Sequence, residues 1–198
     1  MNRRIIMTIH AVIALFMIVL YVAPSHLTFL IWNLFLAVIP FDLSLVIKKV
    51  TARTMKISLT TIWVLFFPNS MYMITDFMHI YSLDGGSARF NYGMLVLGIF
   101  LGVLLGARSA EIIFESYFPK ATTQSVLGFF GSLSLLSAYG MYLGRYARLN
   151  SWDIITNWNQ VVSLIVKSFS LSSIEFVLIF AFVQMIILLT FRALRHLE

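Results

Sequence analysis

Residues 57–82 read ISLTTIWVLFFPNSMYMITDFMHIYS, and the fold turns on whether this interrupted run crosses a membrane. A helix needs about 20 mostly apolar residues to cross roughly 30 Å of hydrocarbon. Five other runs, 5–23, 27–47, 91–113, 124–143 and 171–192, have that length and few charges. The run at 57–82 is long enough too, but it carries Pro68, Asn69, Asp76 and His79. Counted as a span, it makes six. The expected architecture is all-α: a polytopic membrane helical bundle of six transmembrane helices with a Pro-broken third span.

Composition supports lipid as the solvent. Hydrophobic residues make up 60% of the chain and charged ones 11%, against about 45–50% and about 25% in soluble domains. The 198 residues suit a single integral membrane domain, 1–198, and show no linker, repeat or low-complexity tract. A net charge of +6, scattered along the chain, forms no basic stripe, so no nucleic-acid partner is expected. The absence of cysteine excludes disulfides, thiolate metal sites and a cysteine nucleophile. Arg3 and Arg4 precede the first run as they would in a secretory signal. That run is longer than a signal core of about 7–15 residues, and Tyr21-Val22-Ala23-Pro24 makes a poor cleavage site, so a retained first helix is expected.

Six spans put both termini on one side. That side carries Arg3, Arg4, Lys48, Lys49, Arg53, Lys56, Arg108, Lys120, Arg192 and Arg195, and the other carries Arg89, Arg145, Arg148 and Lys167. Ten of the 14 basic residues therefore mark the cytoplasmic face. The segments 69–89 and 144–167 then share the exterior.

Within the third span, the helix from Ile57 to Phe67 climbs roughly 16 Å at about 1.5 Å per residue before meeting Pro68. Proline removes a backbone donor and clashes with the preceding turn. Asn69 and Ser70 can cap a restarted helix there. Beyond them Asn69, Tyr72, Asp76 and His79 fall on one helical stripe, with Thr75 beside it. Asn33 in the second span lies at similar depth, and an Asn33–Asn69 hydrogen bond is expected. Asp42 is expected near Lys48 and Lys49. Gly98, Gly102 and Gly106, and less regularly Gly128, Gly131, Gly140 and Gly144, read as strips for close packing within the bundle, with a homodimer as the alternative. Arg108 and Glu111 are spaced to pair. Asn150 and Asp153 mark a helix start. The residues that follow form an outer interfacial amphipathic helix, with Trp152 and Trp158 suited to headgroup depth.

Three strings stand together: Leu65-Phe66-Phe67-Pro68-Asn69-Ser70-Met71-Tyr72-Met73-Ile74-Thr75-Asp76, Gly144-Arg145-Tyr146-Ala147-Arg148-Leu149-Asn150-Ser151-Trp152-Asp153, and Trp32-Asn33-Leu34-Phe35-Leu36-Ala37 with Ile39-Pro40. They resemble the signatures of a bacterial membrane family catalogued as domain of unknown function 1361, over nearly the whole chain. The resemblance implies a polytopic bacterial inner-membrane protein and supplies no activity. Met71 stands where a smaller residue is expected.

Ionisable residues within or beside the membrane are candidates for function. The candidate ligand-binding set is Asn33, Asn69, Tyr72, Thr75, Asp76, His79, Arg145, Arg148, Asn150, Trp152 and Asp153. Two arginines at headgroup depth can grip a phosphate or carboxylate. The bland alternative is that Asp76 and Asp153 merely neutralise Arg145 and Arg148. The leading functional reading is an outward-facing polar site that binds or transports a polar or anionic small molecule or a lipid headgroup. A second is an enzyme acting on a lipid-linked substrate, with His79 as general base and Asp76 orienting it. A third is an assembly factor docking a membrane-protein partner. Asp76, His79 and Asp153 offer too few ligands for a metal, and no cofactor is expected. His10, His26 and His196 read as bystanders.

Overall fold

The computed structural model describes residues 2–23, 27–82, 88–147, 149 and 153–197, with the backbone alone at 79–82 and 154–155. In chain order it contains α1 (Arg3–Val22), α2 (Phe29–Ile47), α3 (Arg53–Tyr72), a 3₁₀ segment (Met73–Ser82), α4 (Ala88–Tyr117), α5 (Thr123–Tyr146), the short α6 (Asp153–Thr156), α7 (Trp158–Lys167) and α8 (Leu171–Arg195). Six helical segments are long and apolar enough to cross a membrane: α1, α2, α3 with the start of its 3₁₀ continuation, α4, α5 and α8. The chain is a multi-pass membrane protein, built to sit in a lipid bilayer.

Helix starts follow local chemistry. The Asn2 side chain accepts from the Arg4 amide at the start of α1, and Thr122 with Ser125, and Ser170 with Ser173, form reciprocal caps at the starts of α5 and α8. In α3 the expected break at Pro68 does not occur there. The α-helix runs through Pro68 to Tyr72 and only then tightens into 3₁₀ turns. Asn69 does not cap a new helix; its Nδ2 donates back to the Phe66 carbonyl at 3.0 Å. Ser70 bridges outward, donating from Oγ to the Ala37 carbonyl of α2 at 3.2 Å. A proline inside a membrane helix is tolerated where neighbouring groups meet the backbone it frees.

Two apolar cores hold the bundle. One joins α1, α2 and α4 through residues such as Phe16, Leu30, Leu34, Phe41 and Ile99. The other joins α3, α4, α5 and α8 through Trp63, Phe67, Phe114, Phe130 and Leu188. Glycines bring α3 close to its neighbours at two points. A Cβ on Gly106 would sit 2.8 Å from the Ser70 Cβ, and one on Gly140 would sit 2.8 Å from the Pro68 ring. At Gly128 and Gly131 a Cβ would meet nothing within 4 Å, so the second glycine strip is only partly a packing device.

Charges gather at one end. Glu111, 1% exposed, meets Arg192 and lies 3.4 Å from Arg195; Glu115 meets Arg195 and takes Lys48 at 3.3 Å. Lys56 donates to the Ser116 carbonyl at 2.8 Å. This is the basic end, where the 47–53 turn, the close of α4 and the close of α8 come together. Glu111 thus draws its hydrogen bond from α8 rather than from Arg108 on its own helix. Asp42 pairs with His10 of α1 at 3.0 Å, so His10 is no bystander. His196 lies 3.8 Å from Glu111 and joins the same cluster.

Candidate functional site

At the opposite end, three elements meet around Asp76. The carboxylate is 2% exposed, and Asn33 Nδ2 of α2 donates to its Oδ2 at 2.8 Å. The partner of Asn33 is therefore Asp76 rather than the expected Asn69. Arg145, in the last turn of α5, donates from Nη1 to the Thr75 carbonyl at 3.4 Å, one residue before Asp76. Thr75, also 2% exposed, donates its hydroxyl to the Tyr72 carbonyl at 2.7 Å.

The 3₁₀ winding explains why Asp76 faces α2. Along an α-helix, Asn69, Tyr72 and Asp76 share a stripe because four residues advance slightly more than one turn. At about three residues per turn, four residues overshoot by roughly a third of a turn. Tyr72 closes the α-helix and Asp76 lies beyond the change, so the two diverge. Met73, three residues before Asp76, is fully buried, and a Cβ on Gly102 of α4 would meet its Sδ.

Asn69 and Tyr72 instead line a cavity of about 250 Å³ between α3 and α5, closed by Tyr139, Gly144, Val161 and Ile165. The site residues thus separate into a buried polar knot (Asn33, Thr75, Asp76, Arg145) and an adjoining, mostly apolar cavity. Asp153 opens α6, half-buried and engaged with other groups. Arg148, Asn150 and Trp152 lie outside the described residues, as does the side chain of His79.

Helix α7 lies along this cavity, which Val161 and Ile165 line. Its apolar residues divide: Val161 packs inward at 3% exposed, with Ile165 beside it, while Trp158 and Val162 face outward. The apolar residues of the expected amphipathic helix therefore do two jobs. The Tyr139 hydroxyl and Ser168 Oγ, 2.8 Å apart, tie the end of α7 to α5.

Replacing Asn33 by leucine should destabilise the protein by about 1–3 kcal/mol, because the buried Asp76 carboxylate loses its amide donor. Asp76→Leu in the same background should recover part of that loss. Denaturant titration in detergent reads both, and an unchanged midpoint for Asn33→Leu would mean the amide contributes nothing.

Sequence reasoning missed the His10–Asp42 pair and the Glu111 cluster. For the latter a signal existed: a carboxylate near the end of the fourth span and two arginines in the last turn of the sixth, brought to one side by the topology. No curated protein and no solved structure matches the chain. Residues 32–187, most of the chain and all of the polar knot, match the family described as Protein of unknown function (DUF1361), and the protein belongs to that family.

Proposed function

We propose that the end of the bundle bearing Asp76 and Arg145 recognises the polar or anionic part of a small molecule or lipid headgroup, from the outer side of a bacterial inner membrane. The observation that carries this reading is the Arg145 guanidinium, held at the Thr75 carbonyl, its backbone one residue beyond Gly144, which lines a largely apolar cavity. A cation next to an apolar pocket suits a ligand with a charged head and a carbon body. Asp76 and Asn33 fix the turn that Arg145 leans on, and Asn69 and Tyr72 line the cavity. The charge asymmetry of the loops supports cytoplasmic termini, which turns this end outward.

The test uses soluble anions, so that lipid tails do not enter. Glycerol 3-phosphate, citrate and inorganic phosphate are added to purified protein and the thermal midpoint is followed. A ligand at 100 times its Kd adds about 2.7 kcal/mol of stability. At least one anion should raise the midpoint of the wild type, leave Arg145→Ala unmoved and retain part of its effect on Arg145→Lys. Equal shifts in wild type and Arg145→Ala would reject the site.

A further inference from the structure

From a second region, at the basic end, we infer that the cleft between α1, α4 and α8 holds an anionic phospholipid, with one acyl chain in the cleft and its phosphate on Arg108. The cleft measures about 280 Å³ and is walled by Ile9 and Val12 of α1, Leu101 and Leu104 of α4, and Phe191 of α8, with Arg108 on its lining. Val12 and Leu104 are partly exposed on its lipid-facing rim, and α1 packs on α2 and α4 without closing the side toward α8. Chains from the surrounding leaflet therefore have lateral access.

Arg108 supplies the charge argument. Its Nη1 is buried and has no hydrogen-bond partner among the described residues. The nearby carboxylates are shared among other cations: Glu111 gives Oε1 to Arg192 and Arg195, leaving its buried Oε2 without a hydrogen-bond partner among the described residues, and Glu115 serves Arg195 and Lys48. Four cations thus surround two carboxylates, and the excess is positive. A charge buried without a partner is costly, and phosphate oxygens meeting the exposed part of the half-buried Arg108 guanidinium offset it with charge-assisted bonds. Basic pockets between membrane helices on the cytoplasmic side bind anionic headgroups on the same grounds. A zwitterionic lipid fills the cleft equally well but brings an ammonium into a region already rich in cations.

The test compares phosphatidylglycerol with phosphatidylcholine of identical chains, and with inorganic phosphate alone, added to delipidated full-length protein. Phosphatidylglycerol should raise the thermal midpoint well above phosphatidylcholine, and inorganic phosphate should not reproduce the excess. Arg108→Gln should remove the excess and weaken phosphatidylglycerol retention in native mass spectrometry about tenfold. Arg145→Ala should leave the excess in place, which separates this cleft from the site at the other end. Leu104→Trp, filling the cleft from its rim without touching a charge, should also remove it, and decides the matter if Arg108→Gln fails to fold. Equal stabilisation by the two lipids, the same excess in either cleft variant, or a full effect from inorganic phosphate would each overturn the inference.

Discussion

Glu111→Ala should lower the unfolding free energy by about 3–5 kcal/mol, the cost of breaking a buried ion pair from one side. Glu111 is the hub of the basic end: its Oε1 faces Arg192, Arg195 and His196, its side chain is 1% exposed, and Arg192 also stacks over the Phe114 ring. Removing the carboxylate leaves Arg192, itself only 13% exposed, without its acceptor where water is scarce. Replacing both Glu111 and Arg192 by leucine should be far milder than Glu111→Ala, because neither member of that pair is left buried without the other. Unfolding by dodecyl sulfate, followed by circular dichroism, measures each variant. A Glu111→Ala protein as stable as the wild type would mean that apolar packing alone joins α4 to α8.

The second large effect belongs to Gly140. A Cβ there would stand 2.8 Å from Pro68 Cγ and 3.1 Å from Pro68 Cβ, and a proline ring cannot swing aside. Gly140→Ala should therefore destabilise by about 1–3 kcal/mol, the usual range for overpacking. Gly131→Ala meets nothing within 4 Å and should be neutral or stabilising by up to about 1 kcal/mol, from helix propensity alone. Pro68→Ala should relieve Gly140→Ala, giving a coupling that distant sites lack. If both alanine variants behave alike under the same titration, the close approach of α3 and α5 at Pro68 is wrong.

The six spans were legible because lipid imposes a length and an apolarity that few soluble helices reach. The site was legible in part. Asp76 and Arg145 could be placed at one end by counting spans, since an even number of crossings separates neither from the other's side. Their detailed partners could not. Whether Asn33 meets Asn69 or Asp76 depends on the helix changing from α to 3₁₀ after Tyr72, and the chemistry of Pro68 points five residues too early. Asn69 resembles a cap in sequence, yet its amide bonds back to Phe66, a competition that side-chain amides can win wherever a nearby carbonyl is available. The His10–Asp42 pair was illegible for another reason. It depends on how α1 rotates against α2, and the apolar faces of lipid-exposed helices leave that rotation loosely specified.

The convergence of the turn at Asp76 with the end of α5 is most directly tested by a double-mutant cycle between Asp76→Asn and Arg145→Gln, read by denaturant titration in detergent. The guanidinium holds the carbonyl one residue before this carboxylate, so the two substitutions should be non-additive by about 0.5–3 kcal/mol. Effects that sum to within about 0.5 kcal/mol would place the two groups out of each other's reach and contradict the account.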